Sequence, residues 1–379
     1  MKRILFVFGT RPEAIKMAPV ISVFKKDNTN FKTLVAVTAQ HREMLDQVLP
    51  VFNIIPDYDL DLMSPNQSLE ILTGKILNEI SNVIKDIQPN LVFVQGDTTT
   101  TFATSLAAFY QKIPVGHVEA GLRTRNIYSP FPEEINRRMT SSIASYHFPP
   151  TDKAAQNLLN EGVNKENIEI TGNTVIDALL SVSTTINSDS VGYEKYFLFE
   201  HDISFNNQKT ILVTGHRRES FGQGFEDICN AIKQISENNN IQVIYPVHLN
   251  PNVQNPVQRI LGGLSNVYLI PPQDYLSFIF LMKKACIILT DSGGVQEEAP
   301  SLGKPVIVMR ENTERPEGVD AGTAVLVGTE TSSIIKIVDK LLNNKNEYEK
   351  IAKKVNPYGD GSASTIIYDV IKRVLINNG

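Results

Sequence analysis

The sequence predicts an α/β protein made of two doubly wound domains, each with a parallel sheet. Three observations carry that expectation. Short runs of Val, Ile, Leu and Phe alternate with longer amphipathic segments along the chain, and continuous apolar strands between helices belong to parallel sheets covered on both faces. The pattern occurs twice, on either side of a polar stretch at residues 183–208. Finally, 379 residues exceed what one hydrophobic core usually fills, so two domains are expected.

In the first half the strands read at "RILFVFG", "KTLVAVT", "NLVFVQG", "IPVGHVE", "YHFPP" and "IEITG". Helices are expected from Pro12, with proline in its first turn, and around 42–52, 68–85, 99–110, 133–145 and 151–161. The second half repeats the style with "TILVTG", "IQVIYPV", "NVYLIPP", "CIILTD", "PVIVM" and "AVLVG". The segment 183–208 has few periodic cues and reads as the crossing between domains. A last helix near 362–375 follows the turn-rich "NPYGDGSAS" and has either domain to pack on. In open sheets of this kind ligands sit beyond the carboxyl ends of the strands, here in a cleft between the domains.

Composition narrows the function. With 42% hydrophobic and 20% charged residues the chain reads as globular. A net charge of −5 argues against a general nucleic-acid or anionic-membrane binder, while leaving room for a local basic pocket. No apolar run approaches the ~18–20 residues that cross a bilayer, and "MKRILFVFG" reads as a first strand rather than a signal peptide. Cys229 and Cys286 lack metal spacing and read as buried free thiols in a reducing compartment. A cytoplasmic location is expected.

Several strand ends carry chemistry. "IPVGHVEAGLRT" closes an apolar strand on Glu119, and "LVFVQGDTTTT" closes another on Asp97. Asp97 alone reads as well as a helix N-cap; two carboxylates at neighbouring strand ends favour a site. In "FGTRPEAIKMAPV", Arg11 and Lys16 lie near a helix N-terminus, either as an anion site or as ordinary surface charges. The motif is not a G-x-G-x-x-G fingerprint, so no nicotinamide or flavin is implied. "PFPEEINRRM" opens a helix whose Glu134 and Arg138 have i, i+4 spacing, with Glu133 free to face the cleft.

In the second half, "TGHRRESFG" sets His216, Arg217 and Arg218 in a cationic loop suited to a diphosphate. "LTDSGGVQEEAPSLG" ends a strand on Ser292-Gly293-Gly294 and starts a helix, an arrangement that admits phosphate. Glu298, one turn further, suits sugar hydroxyls, and Arg315 lies in the next loop. His41 and His248 are ambiguous. No His, Cys or carboxylate cluster has metal spacing, and neither a G-x-S-x-G nor a Cys/His nucleophile signature is present.

Taken together, "FGTRPEAIKMAP", "TAQHREMLDQVL", "GDTTTT", "PVGHVEAGLRT", "PEEINRR", "TGNTVIDAL", "TGHRRESFG", "PVHLNPNV", "LTDSGGVQEEAPSLGKPV" and "RPEGVDAGT" resemble the bacterial non-hydrolysing UDP-N-acetylglucosamine 2-epimerases. The matches run in order over nearly the whole chain. The resemblance implies a GT-B fold with two Rossmann-like domains facing a cleft: 1–180, completed by a C-terminal helix at 362–379, and 181–361. It implies a homodimer that needs no cofactor and no metal. The implied reaction converts UDP-GlcNAc to UDP-ManNAc by anti elimination of UDP to 2-acetamidoglucal and syn re-addition, for surface polysaccharides. Positions matching the family's active site are Arg11, Lys16, Asp97, Glu119, Glu133 and His216; those matching its UDP contacts are Gln273, Phe278, Ser292, Gly293, Gly294, Glu298 and Arg315. Gln40, His41, Gln67 and His248 match a second UDP-GlcNAc site through which many bacterial members are activated allosterically.

The residue types suit that chemistry. A C2 proton with no neighbouring carbonyl becomes acidic only as UDP departs and positive charge develops at C1. Two opposed proton handlers and an anion clamp are therefore needed. Which of Asp97, Glu119 and Glu133 takes the proton stays open at this level. A GT-B glycosyltransferase, a hydrolysing epimerase and a non-catalytic nucleotide-sugar sensor are the competing readings.

Overall fold

The computed structural model describes every residue except 40, 41, 65, 66, 207, 239, 378 and 379, and the side chain of Glu43. The chain divides into two compact units, Met1–Ala178 with Gly359–Gly379, and Leu179–Tyr358. Among the described residues no helix is long and apolar enough to cross a membrane.

The first unit is a six-stranded parallel sheet of β1 (Lys2–Phe8), β2 (Phe31–Val37), β3 (Tyr58–Asp59), β4 (Leu91–Gln95), β5 (Val115–Val118) and β6 (Tyr146–Phe148). Its order is β3-β2-β1-β4-β5-β6. Residues alternate between faces, and both faces are covered. Leu5, Val7, Val92 and Val94 pack with Leu72, Ile76 and Ile80 of helix Leu69–Ile87 and with Ala103 and Ala107 of helix Thr99–Tyr110. On the other face Phe6 stacks on Phe93 at 5.0 Å, and Phe24 meets Phe6 edge-on at 5.6 Å. Helix Ala363–Lys372 closes this layer, its Tyr368 ring 5.3 Å from Phe24, with Ile367 and Ile371 fully buried. Burying one such side chain stabilises by about 1.5–3 kcal/mol.

The second unit repeats the plan with β7 (Lys209–Thr214), β8 (Ile241–Pro246), β9 (Val267–Ile270), β10 (Ile287–Thr290), β11 (Val306–Val308) and β12 (Ala324–Leu326). Every pairing is parallel, and the order is β12-β11-β10-β7-β8-β9. Its core joins Ile211, Val213, Val243 and Leu289 to apolar residues of helices Gln223–Ser236, Pro251–Leu261 and Thr331–Asn343.

Three expectations need correcting. "IEITG" is not a strand: it touches the sheet through one bridge, His147 to Ile168, because its neighbour β6 is only three residues long. The two-residue β3 carried no apolar run and is held by pairing with Ala36 and Val37. Residues 183–208 are largely helical, in Thr174–Ser188 and Ser190–His201. The second of these helices is pinned by Tyr193 and Phe197, one turn apart, stacking on Phe280 at 5.3 and 5.5 Å.

Candidate active site

In each unit the strand order reverses once, between β1 and β4 in the first and between β7 and β10 in the second. At such a reversal the flanking loops diverge and leave a crevice at the carboxyl ends of the strands. The loops that follow these four strands and β5 hold most of the candidate residues.

After β1, Thr10 caps helix Arg11–Lys26 in a capping box with Glu13. Glu13 is 1% exposed; its Oε2 accepts the backbone N–H groups of Gly9 (3.0 Å) and Thr10 (2.8 Å), and its Oε1 accepts the Thr98 hydroxyl (2.7 Å), with Thr101 Oγ1 3.3 Å away. Burial raises the Glu13 carboxyl, and these donors oppose it. One carboxylate thus ties the β1 loop, with Arg11, to the β4 loop, with Asp97. Arg11 is half-buried at the start of the helix.

After β4, Gly96 turns at φ +70°, and Thr98, not Asp97, caps helix Thr99–Tyr110. That removes the capping explanation for Asp97. Its carboxylate instead takes Arg137 Nε at 2.8 Å and Nη2 at 2.7 Å, and its carbonyl accepts Asn136 Nδ2 at 2.9 Å. Both partners come from helix Glu133–Ile143. Glu134 on that helix is fully buried, accepts the N–H groups of Thr124 (3.0 Å) and Arg125 (3.2 Å), and pairs with Arg137 rather than Arg138. Glu133 is half-buried.

After β5 comes Glu119, at φ +61°. A left-handed side-chain-bearing residue costs about 1–3 kcal/mol and persists where its surroundings over-determine it. Here they do: Oε1 accepts Lys16 Nζ at 2.5 Å and Asn173 Nδ2 at 2.9 Å, and Oε2 accepts Gln95 Nε2 at 2.5 Å. Lys16 is thereby brought onto Glu119 directly. Beneath them His117 shares a 2.7 Å hydrogen bond with the Gly96 carbonyl, and burial pushes its imidazole down to about 3.

In the second unit Asp291, directly after β10, is 1% exposed and its Oδ2 accepts the backbone N–H groups of His216 (2.6 Å) and Arg217 (2.7 Å). His216 itself is exposed, its Nδ1 3.6 Å from Asp291 Oδ1. Partial burial lowers the imidazole, against the pull of the Asp291 carboxylate. The His248 ring stacks on it at 5.2 Å.

Ser292 precedes helix Gly293–Glu298, only six residues long. A Cβ on Gly293 would lie 3.8 Å from the Arg315 guanidinium carbon, and one on Gly294 would lie 3.8 Å from Glu298 Oε2. Arg315 and the half of this loop that carries Glu298 therefore gather at the two glycines. Arg315 is held by the buried Glu297. Gln273 donates to the Pro271 carbonyl at 2.8 Å, just before helix Tyr275–Lys284, on which Phe278 is half-buried.

Of the residues matched to a second site, Gln40 and His41 lie outside the described residues. Gln67 Oε1 accepts the Ser64 N–H at 3.0 Å, and His248 Nδ1 accepts the Asn250 N–H at 3.1 Å. Among the described residues no group of three His, Cys, Asp or Glu could hold a metal.

Sequence reasoning missed Glu13, Gln95, Arg137, Asn173, Asp291 and Glu297. Glu13 had a signal, the Thr10-x-x-Glu13 capping box; Gln95 is a lone polar residue in the apolar run "LVFVQ". Arg137 and Asn173 act across long sequence separations that no local pattern encodes.

Two doubly wound units with parallel sheets and polar residues concentrated at the strand-order reversals define a GT-B-like α/β enzyme. The model of the UDP-N-acetylglucosamine 2-epimerase family matches residues 24–372, and the chain belongs to that family. The UDP-N-acetylglucosamine 2-epimerase of Salmonella typhimurium is 58% identical over 373 residues, covering 98% of each chain. That of Escherichia coli K12 is 57% identical over 375 residues, again covering 98% of each. Among solved structures, the UDP-GlcNAc 2-epimerase of Neisseria meningitidis bound to UDP-GlcNAc superposes with a TM-score of 0.88 at 52% identity, covering 98% of this chain and 100% of that one. The Methanocaldococcus jannaschii enzyme in complex with UDP-GlcNAc and UDP gives 0.78 at 35% identity, covering 98% and 99%.

Proposed function

We propose that the protein interconverts UDP-N-acetylglucosamine and UDP-N-acetylmannosamine by inverting C2 of the sugar. The observation that carries this reading is the Glu119 carboxylate, fixed at a strand end with the Lys16 ammonium 2.5 Å away and next to the β4 loop that presents Asp97. In the first step a carboxylate takes the C2 proton as the C1–O bond breaks, and UDP leaves with the electron pair to give 2-acetamidoglucal. In the second, a proton returns to C2 on the opposite face and UDP oxygen re-forms the bond to C1. Asp97, Glu119 and Glu133 are the proton handlers in this scheme, with Lys16 balancing their charge.

His216 and the Ser292-Gly293-Gly294 loop of the second unit hold the diphosphate as it becomes a leaving group. Burial lowers the His216 imidazole while the Asp291 carboxylate opposes that shift, and a ring N–H of His216 is the donor it offers the diphosphate. Gln273, Phe278, Glu298 and Arg315 complete the UDP site. A homodimer, activation by a second UDP-GlcNAc at a site that includes Gln67 and His248, and supply of ManNAc units to a surface polymer from the cytoplasm belong to the same reading.

Turnover of UDP-GlcNAc in D₂O, followed by NMR with no added cofactor, tests it. The expected product is UDP-ManNAc carrying deuterium at C2. Unlabelled sugar, or free ManNAc as the main product, would sink the proposal.

A further inference from the structure

Two buried carboxamides converge on one carboxylate in the first unit. Gln95, the last residue of β4, is 3% exposed, and its Nε2 meets Glu119 Oε2 at 2.5 Å. Asn173, just ahead of helix Thr174–Ser188, is 2% exposed, and its Nδ2 meets Glu119 Oε1 at 2.9 Å. The orientation of the Asn173 amide is fixed, because its Oδ1 accepts the Val175 N–H at 3.1 Å. Its NH₂ end therefore faces Glu119.

Burying a carboxamide is unfavourable unless its polar atoms find partners. An aliphatic side chain at position 95 would continue the apolar run of β4, whose other residues, Leu91 to Val94, are all fully buried. Instead the strand ends on a donor aimed at the neighbouring strand's carboxylate. Register makes this possible: Gln95 pairs with Val118, the residue before Glu119. The amides cannot neutralise a charge as Lys16 does, but each occupies a chosen direction at one carboxylate oxygen. Gln95 is itself anchored, its backbone carbonyl accepting Thr101 Oγ1 at 2.5 Å.

We infer that Gln95 and Asn173 are positioning residues that fix the Glu119 carboxylate in one orientation for proton transfer. The inference rests on the proposed catalytic role of Glu119. Neither amide needs to touch the substrate; both act through the acid they hold.

The test compares three single variants of the full chain in the epimerisation assay. Gln95→Met, which keeps the length and removes the donor, should lower kcat by up to about 100-fold, the scale of misplacing a reacting group by an ångström, with KM within about threefold. Gln95→Glu sets a second carboxyl against Glu119, and two carboxyls sharing a site raise one titration, so the acid limb of the kcat–pH profile should move up by about one pH unit or more. A purely structural role would lower the amount of folded enzyme and leave that limb in place.

Glu119→Gln is measured in parallel. If it turns over like the unaltered enzyme, the catalytic assignment of Glu119 fails. If it is inactive while Gln95→Met keeps full kcat and Gln95→Glu keeps the original pH profile, the positioning role is overturned and the catalytic one stands. Should Gln95→Met melt below the assay temperature, Gln95→Glu decides alone: a shifted limb supports the inference and an unmoved one overturns it.

Discussion

The two units solve one problem with different parts. In each, the loop after the first strand is pinned by a buried carboxylate that accepts two successive backbone N–H groups: Glu13 holds Gly9 and Thr10, and Asp291 holds His216 and Arg217. Each also spans the strand-order reversal, Glu13 by reaching Thr98 and Thr101 beyond β4 and Asp291 by its own place after β10. The difference is origin. Glu13 comes from the helix that follows its own loop, so that loop is organised locally and then joined to its neighbour. Asp291 arrives from another strand, so the His216 loop takes shape only when β7 and β10 are paired. Glu13 and Asp291 each spend one oxygen on two backbone N–H groups, which fixes the loop and leaves its side chains to meet a ligand, whereas Glu119 is itself held by three side chains.

The sharpest way to break this comparison is to remove each holder. Glu13→Ala and Asp291→Ala should each destabilise by about 2–5 kcal/mol, since each leaves at least two donors of a packed loop without an acceptor. Denaturant unfolding reads the size, and native-state hydrogen exchange reads the place. Faster exchange should spread across β1 and β4 for Glu13→Ala and across β7 and β10 for Asp291→Ala. A loss below ~1 kcal/mol for either variant would end the parallel.

A smaller effect separates the units by acidity. Burial pushes His117 down to about 3 and His147 down to about 4, and both belong to the first unit. The folded state binds fewer protons than the unfolded state between those values and the ordinary histidine value of 6.5, so stability falls as pH drops through that window. The slope is on the order of 1 kcal/mol per pH unit per histidine. His117→Gln retains a donor for the Gly96 carbonyl without titrating, and its unfolding free energy should change less between pH 7.5 and pH 5 than that of the unaltered chain. Equal slopes would show that His117 does not set the acid sensitivity of the first unit.

The smallest effect concerns the returning helix. Tyr368 Oη donates to Asp27 at 2.5 Å, part-exposed, and Tyr368→Phe should cost about 0.5–1.5 kcal/mol while leaving exchange in the second unit unchanged. A loss spread over both units would mean the units do not respond separately.

Much of this was legible in the sequence. Of the twelve strands among the described residues, ten were marked by apolar runs long enough to be covered on both faces, and an eleventh, β6, by "YHFPP"; β3 was not, because two residues held only by pairing leave no periodic trace. Helix Ser190–His201 was read as a crossing because only Phe197 on it is fully buried, a stripe too narrow to register. In the site, three polar residues announced themselves by chemistry at strand ends: Asp97, Glu119 and His216. Their holders did not. Gln95 and Asn173 lie 24 and 54 residues from Glu119, and Asp291 lies 75 from His216. Only the fold makes them neighbours.

The return of Gly359–Gly379 to the first unit has a consequence for synthesis on the ribosome. The seat for Tyr368, lined by Phe24 and Phe31, emerges early in translation. Its occupant follows only after the rest of the first unit and Leu179–Tyr358 have been made, on the order of 15–70 s later at ~5–20 residues per second. Throughout that interval the nascent chain carries an open aromatic seat, and the unit begun first is the unit finished last.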